Sequence, residues 1–103
     1  MTKGEALKQI LKTETIKDAI YTFGPNHQKR KAVEEMSELT KEIMKDMDGK
    51  GNLDHIAEEI ADTEITLEQL KLIYDCAGDV ERWTDEKLIR LRKLIFEEKY
   101  GTC

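Results

Sequence analysis

Residues 27–76 read HQKRKAVEEMSELTKEIMKDMDGKGNLDHIAEEIADTEITLEQLKLIYDC. Two long runs free of glycine and proline flank the short segment DGKG at residues 48–51. Glycine favours turns and weakens helix interiors, so this pattern is typical of two helices joined by a tight connection. Because the connection is short, we expect the two helices to pack antiparallel.

The remaining glycines divide the rest of the chain in the same way. Gly4, Gly24 followed by Pro25, Gly78 and Gly101 are the other breaks. We therefore predict helices over about residues 5–22, 27–47, 53–76 and 79–99. Asn26 is the predicted N-cap of the second helix, Asn52 or Asp54 of the third, and Asp79 of the fourth. The expected fold is a single all-α domain over residues 1–103, an antiparallel four-helix bundle-like subunit.

The composition fits this class. Of 103 residues, 38% are charged and 39% apolar, and the net charge is −5 with acids and bases interleaved. Nucleic-acid binding needs a basic face, and none is visible. No apolar run is long enough for a membrane span or a secretory signal, so we expect a soluble, cytoplasmic protein. Cys76 and Cys103 match no metal or redox spacing and are predicted to be reduced.

Apolar residues at helical spacing predict the packing faces. Predicted helices 3 and 4 each carry a second apolar face besides their main one. A single bundle buries one face per helix, so we expect a homo-oligomer built through helices 3 and 4. The alternative is that long Lys and Arg side chains cover the second faces. The main stripes are Val33, Met36, Leu39, Ile43 and Met47 in helix 2; Leu53, Ile56, Ala57, Ile60, Leu67 and Tyr74 in helix 3; and Val80, Trp83, Leu91 and Leu94 in helix 4.

Two acidic pairs stand out in the middle of helices 2 and 3. Glu35 with Glu38, and Glu59 with Asp62, are each spaced i and i+3, which places both carboxylates on one helix face. The pairs lie about eleven and about eight residues from the turn, so at ~1.5 Å per residue they stand at similar heights. Antiparallel packing would then bring them together.

Four clustered carboxylates either take up protons or recruit a cation. An all-oxygen set with no neighbouring Cys and no His in register favours Mg²⁺ over Zn²⁺, with Mn²⁺ as a substitute. The alternative is that these acids are solvated residues on an exposed helix face.

The segments Glu34-Glu35-Met36-Ser37-Glu38-Leu39 and Glu58-Glu59-Ile60-Ala61-Asp62 resemble the paired acidic motifs of the MazG-like all-α nucleoside triphosphate pyrophosphohydrolases. The likeness covers about residues 25–100 and is strongest to short single-domain members from Firmicutes and their phages. It implies Mg²⁺ ligands at Glu35, Glu38, Glu59 and Asp62, and a homodimer or tetramer. It also implies hydrolysis of a (deoxy)nucleoside triphosphate to monophosphate and pyrophosphate, in a housecleaning role.

Further roles follow from this resemblance. Glu38 or Glu35 is the expected proton acceptor. Lys87 and Arg90 fall in a K-L-x-R-L segment similar to that of short family members and are candidates to bind phosphate. A side chain that only covers a helix edge is the alternative for Lys87, and a surface ion pair is the alternative for Arg90. His27 and Gln28 lie where related enzymes place polar nucleotide contacts.

The competing function is a non-catalytic helical homodimer that binds a protein or a nucleotide. Such a protein would normally have lost one of the acids, whereas all four motif positions are filled here. The sequence therefore favours the enzyme.

Overall fold

The computed structural model describes residues 1–101. In that range the chain forms four α-helices and no strand: α1 (Lys3–Phe23), α2 (Pro25–Met47), α3 (Leu53–Ile73) and α4 (Ala77–Tyr100). The predicted all-α class and the number of helices are confirmed. Cys76 is partly buried and forms no disulfide within these residues, while the prediction for Cys103 lies outside them.

The first two helices begin differently from the prediction. α1 starts at Lys3 because Thr2 and Glu5 form a capping box, in which each side chain bonds the backbone N–H of the other. α2 starts at Pro25 with Gly24 as its N-cap, so the prediction of Asn26 as the cap is wrong. Proline has no N–H to lose at the first helical position and its φ is already helical.

The connection between α2 and α3 is closed by backbone geometry. Gly49 has φ +77°, its N–H bonds the carbonyl of Asp46, and the N–H of Lys50 bonds that of Lys45. These two bonds form the common glycine-terminated helix end. Asn52 then caps α3, since its side-chain oxygen accepts from the N–H of His55 at 3.2 Å. That cap was predicted.

The junction between α3 and α4 comes earlier than predicted. α3 ends at Ile73, Asp75 takes a positive φ of 50°, and the N–H of Cys76 bonds the carbonyl of Lys71. α4 then begins at Ala77, so Asp79 lies in its first turn and is not its N-cap. There Asp79 faces Arg82 at 3.7 Å.

α2 and α3 form an antiparallel pair, and it is the main packing unit of the subunit. Gln28, near the start of α2, contacts Gln69 near the end of α3, while Glu35 contacts Thr63 farther back along α3. The order of these contacts reverses between the two helices, which establishes the antiparallel direction. α1 packs on both helices more lightly, through the buried Ile16.

The α2–α3 interface is mostly polar, which the apolar patterning did not indicate. Its buried residues are Gln28 and Ala32 from α2, and Thr63, Thr66 and Gln69 from α3. Among residues 1–101, Ile16 and Ala32 are the only buried apolar residues. The chain has placed its polar helix faces inward.

Most residues of the predicted apolar stripes are exposed in the single chain, although Leu39 and Ile56 are partly buried. Val33 in α2 is 61% exposed and Leu53 in α3 is 82% exposed, and Trp83 in α4 is about half exposed. The interpretation of these stripes as the core of one subunit is therefore wrong. The reason is that helix periodicity identifies an apolar face but not the chain that covers it.

α4 extends away from the other three helices. It contacts α3 but neither α1 nor α2, and none of its residues is buried. The subunit is accordingly elongated, with extents of 54 × 36 × 33 Å and a radius of gyration of 17.6 Å. A compact chain of this length would have a radius of about 13 Å. No helix within residues 1–101 has the length and apolar character needed to cross a membrane.

Candidate metal centre

Three of the four predicted acids meet between α2 and α3. Glu35, Glu59 and Asp62 each offer a carboxylate oxygen, and the three oxygens lie within 4.8 Å of one another. All three side chains are partly buried. Glu35 lies three residues after the buried Ala32, and Glu59 lies four residues before the buried Thr63. Each acid is therefore on the face of its helix that packs against the other helix.

Glu59 is the most unusual member of the cluster. Its Oε2 atom is buried and has no hydrogen-bond partner among the described residues. Partial burial raises the pKa of Glu59, and the negative charges of Glu35, Asp62, Glu38 and Glu58 raise it further. A buried carboxylate oxygen with no donor, surrounded by other carboxylates, is in the condition that a bound cation would relieve.

Glu35 is held in place from two sides. Lys31, one turn earlier, lies 3.4 Å from its carboxylate, and the hydroxyl of Thr63 donates to its backbone carbonyl at 3.4 Å. The first contact offsets part of the local negative charge, and the second fixes the height of α2 against α3. Lys31 is half exposed and also lies 3.8 Å from Glu34, so its position is shared between two acids.

The fourth predicted ligand, Glu38, is placed apart. It is exposed and lies outside the three-carboxylate cluster, although its charge is close enough to raise the pKa of Glu59. The structure thus brings Glu38 beside the cluster without including it.

The two predicted nucleotide contacts are found at the end of α2 that faces α1. Gln28 is 6% exposed and donates from Nε2 to Oε1 of Gln69 at 2.8 Å. His27 stacks on Phe23, with ring centroids 5.4 Å apart, and its Nδ1 lies 2.7 Å from Oε1 of Gln28. Gln28 lines a cavity next to the acids, whereas His27 does not.

The two predicted phosphate contacts are not brought to the acids within one chain. Lys87 and Arg90 lie on α4, which does not contact α2, and neither lines the cavity beside the cluster. The ammonium of Lys87 instead lies 5.9 Å from the ring centroid of Trp83.

Sequence reasoning missed several residues beside the cluster. A cavity of about 170 Å³ adjoins Glu35 and Asp62, and Lys31, Thr66 and Gln69 also border it. One signal could have identified part of this set. Thr63, Thr66 and Gln69 recur every three residues through the apolar second half of α3, which places polar groups on one helix face.

The donor set matches a hard divalent cation. Carboxylate oxygens are the ligands that Mg²⁺ and Mn²⁺ prefer, and no Cys or His joins the cluster within residues 1–101. Three carboxylates also leave coordination positions for water or for phosphate oxygens. The unpartnered oxygen of Glu59 is compatible with a bound cation.

Comparison with known proteins gives no identification: no protein-family model, no curated protein and no solved structure matches this chain.

Proposed function

We propose that the protein is a Mg²⁺-dependent nucleoside triphosphate pyrophosphohydrolase of the MazG-like type. The observation that carries the proposal is the meeting of Glu35, Glu59 and Asp62 from two helices, with one buried oxygen of Glu59 left without a partner. Such a site suits a divalent cation that also binds phosphate. These three acids also belong to the motifs that resemble those of this family.

In this proposal the three clustered carboxylates hold the metal. Bound Mg²⁺ supplies charge neutralisation for the triphosphate and a water of lowered pKa. The ammonium of Lys31 reduces the repulsion between the carboxylate of Glu35 and the other acids of the cluster. The cavity next to Glu35 and Asp62 leaves space beside the phosphates for the base of the nucleotide.

Glu38 is the proposed general base. It stands beside Glu59 but outside the cluster, and Lys31 pairs with Glu35 instead of with it. An exposed carboxylate that is not a metal ligand is free to accept a proton from the attacking water. Glu35, the other candidate for the general base, belongs to the three-carboxylate cluster and pairs with Lys31.

The proposed assembly is a homodimer or tetramer through α3 and α4. The single chain exposes 8630 Å², whereas a compact monomer of 11.9 kDa would expose roughly 5,900 Å². The exposed apolar residues of α4 account for part of that excess, and Ile89 and Phe96 are each more than half exposed. In such an assembly Lys87 and Arg90 would reach phosphates only from the α4 of a second copy.

The test is release of pyrophosphate from a panel of canonical and modified (d)NTPs, with Mg²⁺ and with EDTA. We expect Mg²⁺-dependent formation of pyrophosphate and the matching monophosphate. Glu59→Gln should lower the rate by about a hundredfold or more, because ligand loss exceeds the 10–100-fold typical of residues that only support ligands. Glu64→Gln is the matched control, since it makes the same change on an exposed site of α3.

Other results would separate the alternatives. Release of inorganic phosphate would show hydrolysis at a different bond. No product from any nucleotide, with a folded protein, would contradict the enzyme and favour the non-catalytic binding module. Equal loss in Glu59→Gln and Glu64→Gln would mean that the cluster is not the site.

A further inference from the structure

The buried amides of Gln28 and Gln69 stand next to the acidic cluster. Gln28 is 6% exposed and Gln69 is 4% exposed, and both border the cavity of about 170 Å³ that Glu35 and Asp62 also line. Two buried glutamines in a helix interface are costly unless their polar atoms are used. One hydrogen bond, from Gln28 Nε2 to Gln69 Oε1, joins the two helices.

The hydrogen bonds in this group run in one direction when His27 carries its proton on Nδ1. In that tautomer Nδ1 of His27 donates to Oε1 of Gln28, 2.7 Å away. Gln28 then donates from Nε2 to Oε1 of Gln69. The stacking of His27 on Phe23 holds the start of this chain of bonds in place.

This direction of the hydrogen bonds leaves one donor of Gln69 without a partner. With Oε1 of Gln69 already accepting, its amide Nε2 is the remaining polar group of that side chain. It makes none of the hydrogen bonds found among residues 1–101. Gln69 borders the cavity, and this N–H group is its unused donor.

The size and position of the cavity restrict what can bind there. Its volume lies below the roughly 300–1,000 Å³ of pockets that enclose a whole drug-sized ligand, so it suits a nucleobase alone. Its place beside Glu35 and Asp62 puts that base next to the proposed phosphate site. The methyl-bearing side chains of Ile65 and Thr66 provide an apolar border for the base.

We infer that Gln69, oriented by Gln28 and His27, recognises the base of the nucleotide by donating to a ring carbonyl oxygen. The inference rests on the proposed function, and it adds a specificity-determining residue to it. A donor at this position favours a base that carries a keto oxygen over the otherwise similar base that carries an amino group. Hypoxanthine is then preferred to adenine, and uracil to cytosine.

The experiment compares kcat/KM for ITP against ATP and for UTP against CTP, each pair differing chiefly at that exocyclic group. The wild type should favour ITP and UTP. Gln69→Leu, which keeps a side chain of similar length but no donor, should reduce each preference about fivefold to tenfold, the worth of one hydrogen bond. Gln69→Glu, which presents acceptors alone, should move both preferences toward ATP and CTP.

A matched control separates recognition from stability. Ile16→Ala removes buried apolar volume from α1 and leaves the Gln28–Gln69 bond intact. It should destabilise the protein without changing either ratio. If Gln69→Leu and Ile16→Ala alter the ratios equally, or if Gln69→Leu leaves them unchanged in an active enzyme, the inference is overturned and the proposed function stands. Absence of turnover by the wild type on every nucleotide overturns both together.

Discussion

At the scale of single residues, Glu59 decides how the helix pair responds to pH and to metal. Folding raises its pKa, first through burial and then through the neighbouring carboxylates. The native chain therefore binds a proton at Glu59 more readily than the unfolded chain does. From the ordinary value near 4.5 up to the raised value, the stability of the metal-free protein falls as pH rises.

Glu59→Gln should remove this pH dependence. We expect the stability of the metal-free variant to depend less on pH. Above the raised pKa of Glu59 the variant should be more stable than the wild type, because it has no negative charge at this position. Urea unfolding in EDTA from about pH 4 to pH 8 measures this. Added Mg²⁺ or Mn²⁺ should stabilise the wild type and Glu64→Gln but not Glu59→Gln. A larger pH slope in Glu59→Gln than in the wild type would contradict the account.

The proposed roles of Glu38 as general base and Glu59 as metal ligand can be distinguished by experiment. Loss of a general base lowers kcat by about 10²–10⁴-fold. Because Glu38 lies outside the cluster, Glu38→Gln should show that loss while Mn²⁺ still stabilises the protein against heat. Glu59→Gln should lose both activity and stabilisation. A Glu38→Gln protein that no longer responds to Mn²⁺ would place Glu38 among the ligands.

The sequence allowed prediction of the acids but not of their surroundings. The i, i+3 spacing and the short connection at Gly49–Gly51 were enough to expect the pairs to face each other, and three of the four acids do meet. The acidic spacing did not identify Gln69. Its spacing with Thr63 and Thr66 indicates a polar face of α3, but only the contact with Gln28 shows that this face is buried.

At the scale of helices, the breaks in the chain were predictable, but the first residues of α1 and α2 and the exact α3–α4 junction were not. Gly24, Gly49 and Gly51 separate the first three helices as expected. The α3–α4 junction was predicted a few residues too late because Asp75, not a glycine, takes the positive φ there. Aspartate reaches that region more easily than most residues, but it carries no sequence signal as clear as glycine.

Asp75→Gly should stabilise the protein by about 0.5–1 kcal/mol, because glycine adopts a positive φ without the steric penalty of a Cβ. Gly49→Ala should destabilise it by a similar amount, about 1 kcal/mol, for the opposite reason, since Gly49 has φ +77° and open space around it. Urea unfolding of both variants measures the two effects. If Asp75→Gly proved less stable than the wild type, the carboxylate at that position would have a structural role beyond the turn.

At the scale of the whole molecule, the polar interface and the exposed apolar faces belong to one arrangement. A helix pair that places carboxylates and glutamines inward has to cover its apolar stripes elsewhere. Neither α1 nor α4 covers them within one chain, because α1 packs lightly and α4 extends away. The surface in excess of a compact monomer is roughly 2,700 Å² per chain, or about 5,400 Å² for two chains, which is at the upper end of what obligate interfaces bury in total.

We propose that a second copy of the chain buries these apolar stripes, and a measurement of the mass in solution tests this. Sedimentation equilibrium should give two or four times the 11.9 kDa of one chain. Ile89→Glu places a charge on an exposed apolar site of α4, which should lower the assembled mass and also the thermal stability, since the subunit has little apolar core of its own. Lys99→Gln changes the net charge by the same amount on the same helix and should leave the mass unchanged. A wild-type protein that sediments as a stable 11.9 kDa monomer would contradict the assembly, and Lys87 and Arg90 would then have no route to the acidic cluster.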